Sequence, residues 1–343
     1  MANPEALIRP NVISLIPYSS ARDEFEGREG IFLDANENPF GTLNRYPDPY
    51  QKELKEKLSR IKGIPAGNIF LGNGSDEIID LTFRIFCTPG TDKALTFTPT
   101  YGMYDVSASA NDVKMIRVPL NKSFQIDPDS FQPYLSDEKL KLILICSPNN
   151  PTGNLFKRET IEKITGSFNG IVLIDEAYID FAGEKSFKDS IGSYANLIVM
   201  QTFSKAFGLA SARIGMAFAD SSVIKYFNKM KPPYNISTIN QKAALKALDR
   251  TGLYRNRICK IKNERLRLTT ELNKLQLTEK IFPSEANFLL VKVNNAKAIY
   301  NYLAERKIIV RNRSNVVENC LRVTVGTRSE NDKLLKALKT FTS

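Results

Sequence analysis

The 343-residue sequence contains no histidine. That removes Ser-His-Asp and Cys-His nucleophile systems, His-containing zinc sites and an imidazole general base together. Proton chemistry falls to lysine, tyrosine or carboxylates. Cysteine is scarce as well: Cys87, Cys146, Cys259 and Cys320 lie far apart and form no CxxC pair. Such usage suits a cytosolic chain better than a disulfide-stapled one. No apolar run approaches the roughly 18 residues that a membrane span needs. The longest, "LILIC" at 142–146 and "IVLI" at 171–174, have the length of buried strands. The first 22 residues lack the basic segment, apolar stretch and small-residue cleavage pattern of a secretion signal, so the cytoplasm is the expected location. There are no internal repeats and no low-complexity segment. The balance of 48 basic and 37 acidic residues leaves a net charge of +11, but the cations are spread along the chain with no block of like charge. Charge alone therefore gives little reason to expect a nucleic-acid partner, and anionic small substrates fit as well.

The length suggests about two packed domains. Residues 1–28 have the mixed composition of an N-terminal arm. From 29 to 235 short apolar runs alternate with helical-period stretches, the pattern of an α/β domain with a mostly parallel sheet. "DPYQKELKEKLSRIKG" has helical spacing and ends at Gly63. From 236 to 343 a long helical stretch, broken near Gly252, leads into "ANFLLVKV", a helix around "AKAIYNYLAERK", the strands "IIVR" and "CLRVTV", and a terminal helix. This second unit reads as a smaller α+β domain.

Three β-rich runs each feed a chemically distinctive segment: "LKLILICSPNNPTG", "GIVLIDEAYIDF" and "NLIVMQTFSKAFG". Ligands of open α/β sheets bind at the carboxyl ends of the strands. If these three strands lie side by side, the amide of Asn150, the carboxylate of Asp175, the phenol of Tyr178 and the amine of Lys205 converge on one crevice. That set suits pyridoxal 5'-phosphate, which needs a lysine for its aldehyde and an acid for its pyridine nitrogen. An amide and a phenol can hold its 3-hydroxyl oxygen. The phosphate needs a helix N-terminus, hydroxyls and a cation. "GNGSDEIIDL" offers a glycine turn opening into a helix, with the N–H groups of Ser75 and Asp76, and Ser204 and Arg213 could complete the cradle. Taken singly, each feature has an ordinary reading: a solvated lysine, a helix start, a turn, a buried acid, a core aromatic. Their joint order is what those readings leave unexplained.

The ordered set "SPNNPTG", "DEAY" and "SKAFGLASARIG" resembles the fold-type I, aspartate-aminotransferase-like pyridoxal phosphate enzymes over nearly the whole chain. "PYSSAR", "LDANENPFG", "NRYPDP", "PTYGMY" and "CLRVTVGTR" are most similar to the histidinol-phosphate aminotransferases within that group. The resemblance implies a large domain with a seven-stranded, mostly parallel sheet flanked by helices, and a smaller C-terminal domain. It implies that Lys205 bonds the cofactor and then moves a proton between substrate Cα and cofactor C4′. Asp175 would pair with the pyridine nitrogen, Asn150 and Tyr178 would hold the 3-hydroxyl oxygen, and Tyr101 would stack on the ring. Ser75, Asp76, Ser204 and Arg213 would bind the phosphate. Tyr46 matches a tyrosine that reaches the cofactor phosphate of a neighbouring subunit, which implies a homodimer with a shared active site. Arg322 would grip the substrate anion, with Arg311 as a second cation; Tyr18 would line the pocket or pack the arm. The implied reaction joins L-histidinol phosphate and 2-oxoglutarate to imidazole-acetol phosphate and L-glutamate. An aromatic amino-acid aminotransferase, a phospho-amino-acid decarboxylase and, in another class, a non-catalytic basic binding protein are the rival readings.

Overall fold

The computed structural model describes residues 4–19 and 30–341. Seven strands make the larger sheet: β1 (Ile69–Asn73), β2 (Lys93–Thr98), β3 (Lys114–Pro119), β4 (Leu140–Cys146), β5 (Ile171–Asp175), β6 (Leu197–Thr202) and β7 (Ile214–Phe218). They lie in the order β1-β7-β6-β5-β4-β2-β3. Strands β2 to β6 pair in parallel, while β7 runs antiparallel to both β6 and β1. The three chemistry-bearing strands, β4, β5 and β6, are indeed neighbours.

Their unbroken apolar runs follow from burial on both faces. In β4, Ile143 and Ile145 pack on one side with the helices Lys52–Lys62 and Arg158–Ser167. Leu142 and Leu144 pack on the other with the helices Ser75–Phe86 and Ser221–Met230. A sheet covered twice has no solvent side, so alternation disappears. The helix Lys52–Lys62 ends where its spacing predicts, because Gly63 takes the left-handed conformation (φ +69°) and its N–H bonds the Ser59 carbonyl. Part of the arm is docked: Ile8 and Val12 are buried against the second face, and the Arg9 N–H donates to the Ile85 carbonyl at 3.0 Å.

The smaller sheet, β8 (Thr278–Ile281), β9 (Phe288–Val293), β10 (Arg311–Asn312) and β11 (Cys320–Thr324), is antiparallel throughout, in the order β10-β11-β9-β8. Leu289, Val291, Val293, Leu321 and Val323 form its core with the helices Ala296–Glu305 and Arg328–Lys339. Side chains alternate along a strand, so Phe288 and Arg322 point the opposite way. That opposite face meets the larger sheet: Phe288 packs with Tyr178, Phe181 and Ala206 in a shared apolar cluster.

The long helical stretch breaks near Gly252 as expected, at Asp249–Arg250, between the helices Thr238–Leu248 and Thr251–Asn273. Gly252 lies in the first turn of the second helix, where the backbone N–H groups have no intrahelical partner to lose. One local expectation is corrected. The strand expected at "IIVR" shrinks to Arg311–Asn312, because the Ile308 N–H bonds the Leu303 carbonyl and finishes the preceding helix.

Candidate active site

At the carboxyl ends of β4, β5 and β6 lies a cavity of about 230 Å³. Asp175, the last residue of β5, lines it and is buried. One carboxylate oxygen accepts from the Tyr104 hydroxyl at 2.8 Å and the other from the Ala177 N–H at 3.0 Å. Burial nevertheless pushes its pKa up to about 6, against the pull of those two bonds. A carboxylate so placed gains from any cation brought next to it.

Asn150 and Tyr178 stand beside it. The Asn150 side-chain oxygen accepts from Arg322 Nη1 at 2.5 Å, which leaves its amide donors turned to the Tyr178 hydroxyl, 3.5 Å away. Tyr178 is buried and meets Phe288 edge-on, with ring centroids 5.2 Å apart. Desolvation drives its phenol pKa up, so it stays protonated and able to donate. The Lys205 amine lies 5.7 Å from the centre of the Tyr178 ring. Partial burial, and then the charge of Arg322, lower its pKa, while Asp175 and Asp76 oppose the shift. The amine is therefore more readily neutral than that of an ordinary lysine.

The far end is an anion cradle. Gly74 (φ +80°) ends the turn after β1 and caps the helix Ser75–Phe86, which has no side-chain cap of its own. Its first-turn N–H groups are thus left for a ligand. Arg213, itself left-handed (φ +48°), reaches Asp76 Oδ2 at 3.2 Å and the Ser204 hydroxyl at 3.5 Å. A Cβ on Gly74 would lie 2.5 Å from the Arg213 guanidinium, so only glycine admits this approach. The residues present fit a flat, phosphorylated aromatic aldehyde: a cation-seeking carboxylate, an amine, and a cradle of N–H, hydroxyl and guanidinium groups.

Of the residues singled out in the sequence, Lys205, Ser75, Asp76, Tyr101, Asn150, Asp175, Tyr178, Ser204, Arg213 and Arg322 line this one cavity. Three do not. Tyr46 stacks on Tyr234 of its own chain with ring centroids 4.4 Å apart, Arg311 is exposed on β10, and Tyr18 is exposed on the arm. Residues 20–22 of "PYSSAR" lie outside the described residues. Sequence reasoning missed Tyr104, which reads as a core aromatic. It sits in the first turn of the helix Met103–Ala110, and its ring meets that of Tyr101, just ahead of the helix, edge-on at 5.6 Å. Sequence reasoning also missed Thr202, whose hydroxyl accepts the Ser204 N–H at 3.0 Å and so shapes the turn that carries Lys205. Among the described residues no cluster is placed to hold a metal ion, and no helix is long and apolar enough to cross a membrane.

Fold and cavity together define a fold-type I transferase. The family model for aminotransferase class I and II matches residues 28–338, and the chain belongs to that family. Within it the chain belongs with the histidinol-phosphate aminotransferases. It is 48% identical to the enzyme of that name from Cytophaga hutchinsonii, over 98% of this chain and 99% of the relative. Among solved structures, the histidinol-phosphate aminotransferase from Clostridium acetobutylicum matches with a TM-score of 0.79 at 27% identity, covering 87% of this chain and 90% of that one. The one from Sinorhizobium meliloti, in complex with pyridoxal-5'-phosphate, matches with a TM-score of 0.80 at 25% identity and 89% coverage of both chains.

Proposed function

We propose that this chain is a pyridoxal 5'-phosphate-dependent transaminase of histidine biosynthesis. It exchanges L-histidinol phosphate and 2-oxoglutarate for imidazole-acetol phosphate and L-glutamate. The observation that carries the reading is the meeting of a buried carboxylate, a depressed lysine and a glycine-lined anion cradle in one cavity. When bound, the cofactor supplies an aldehyde to capture amines and a ring that stores the electron pair released from substrate Cα.

The chain's own residues do the rest. Asp175 keeps the ring nitrogen protonated, and Tyr104 and the Ala177 N–H hold that carboxylate in place. Asn150 and Tyr178 donate to the 3-hydroxyl oxygen, and Tyr101 offers an aromatic plane to the ring. Ser75, Asp76, Ser204 and Arg213 bind the phosphate, with Asp76 setting the Arg213 guanidinium. Lys205 would bond the cofactor at rest and, when free, would carry the proton between Cα and C4′; its lowered pKa makes the neutral, proton-accepting amine more accessible than in an ordinary lysine. Arg322 grips the anion that both substrates present, assisted by Arg311.

The active unit is a homodimer in the cytoplasm. Ile31, Leu33 and Phe40 are 92%, 89% and 82% exposed, more apolar surface than an isolated chain gains from showing. A cavity lined by residues 35–37, 43–47 and 237–239 opens beside them and includes Tyr46. A second copy covering this surface would bring Tyr46 to the partner's cradle, and Tyr18 would then border the substrate.

The test is the visible absorbance of the purified holoenzyme during stoichiometric addition of L-histidinol phosphate without keto acid. The bound-cofactor band should vanish in one turnover and return with 2-oxoglutarate. Lys205→Ala should lower transamination by at least about 10,000-fold while the fold is retained. A band that answers only to aromatic amino acids would overturn the substrate, and a fully active Lys205→Ala would overturn the site.

A further inference from the structure

The hairpin of β10 and β11 carries more positive charge than the proposed reaction has so far used. Its register sets Arg311 directly opposite Arg322. The Arg313 N–H continues the ladder by donating to the Cys320 carbonyl at 2.9 Å. Residues two apart on a strand share a face, so Arg311, Arg313 and Arg322 all stand on the face turned away from the helix-packed core. That is the face from which Arg322 reaches Asn150 in the cavity. Like charges set across a ladder repel one another, and here a third guanidinium sits diagonally beside the pair. Partial burial, and then the charges of Arg322 and Arg311, lower the pKa of Arg313.

Arg322 has the Asn150 oxygen as a partner. Arg313 has no hydrogen bond or ion pair from its side chain to any described residue, and its Nε is buried without an acceptor. A half-buried guanidinium set beside two others, with its Nε shut off from any acceptor, gains from an anion brought from outside the chain. A carboxylate brings one charge and two oxygens, which one arginine fork satisfies. A phosphate monoester is nearly a dianion at neutral pH and brings three acceptor oxygens. It has charge and oxygens left over for further cations.

We infer that Arg313 is a specificity residue of the substrate site, whose guanidinium helps hold the phosphate of the phosphorylated amine and does much less for the carboxylate substrate. The inference rests on the phosphorylated substrate proposed above. Wild-type, Arg313→Gln and Arg313→Lys holoenzymes would be compared in separate half-reactions with L-histidinol phosphate and with L-glutamate. Inorganic phosphate would be titrated as an inhibitor of the glutamate half-reaction, and the thermal midpoint would report folding. Arg313→Gln should lower the second-order rate constant for histidinol phosphate about 10- to 100-fold, chiefly through the half-saturating concentration. Its loss with glutamate should be at most about threefold, half-inhibition should need about tenfold more phosphate, and Arg313→Lys should recover part of each. Equal losses on both substrates, or unchanged histidinol phosphate kinetics, would overturn the inference and leave the proposed function standing. If wild-type protein ignores histidinol phosphate while phosphate inhibition still depends on Arg313, the proposed substrate falls and the anion role of Arg313 survives.

Discussion

Asp175 at the end of β5 is a buried charged group and Arg313 beside β10 a half-buried one, and the chain treats them differently. Asp175 is held from two sides, by the Tyr104 hydroxyl and the Ala177 N–H, and its neighbours Asn150 and Tyr178 are buried with it. Arg313 is given no partner among the described residues, and the cations around it repel it. The contrast matches the residence time of what each would meet. A permanently bound group rewards donors and acceptors fixed in advance, because their ordering is completed during folding. A substrate that must leave each cycle is better met by groups whose satisfaction comes only with it.

Three changes would break or sharpen that contrast. The largest effect is expected from Asp175→Asn, which should lower the rate with either substrate roughly 100- to 1,000-fold by removing the charge that holds the ring nitrogen protonated. Half-reaction kinetics, read beside cofactor retention on gel filtration, would check it. A loss confined to one substrate would count against a cofactor role.

The cofactor-free protein should show the same residue as a stability defect. Burial raises the native pKa of Asp175 from 3.8 to about 6, so the native state holds this proton more tightly than the unfolded chain does. The resulting stabilisation is complete below the unfolded value and is lost as pH rises through about 6, a change of about 3 kcal/mol at most. Urea titrations of apoprotein between pH 4 and 8 should show this fall, and Asp175→Asn should flatten it. An unchanged slope in the variant would place the titration elsewhere.

The smallest expected effect belongs to the hairpin. Arg322→Gln should cost about 2–3 kcal/mol of binding, roughly 30- to 150-fold, with both substrates alike, while the cofactor band stays intact. Loss of the band would mean that Arg322 supports the floor through Asn150 rather than the substrate.

The floor was more legible in the sequence than the hairpin. Asn150, Asp175 and Ser204–Lys205 each follow a run of strand residues buried on both faces, so the pattern that forms the sheet also marks where it ends. Tyr104 was hidden because an aromatic in a helix reads as core, and only the neighbouring β5 turns it into a carboxylate ligand. The reversed strand β7 was hidden too, since nothing in "IGMAF" records the direction in which it joins β6 and β1.

By itself the sequence determined the three buried strands, the residues at their ends and the glycine turn that opens the helix Ser75–Phe86. These are short-range consequences of apolar run length, turn chemistry and backbone freedom. Only the tertiary structure decided which of those ends lie side by side, that Tyr104 reaches Asp175 across 71 positions, and that Arg322 reaches Asn150 across 172. It also decided that Arg313 is left without an acceptor. Whether a polar group is satisfied depends on everything packed around it, and that neighbourhood is assembled from distant parts of the chain.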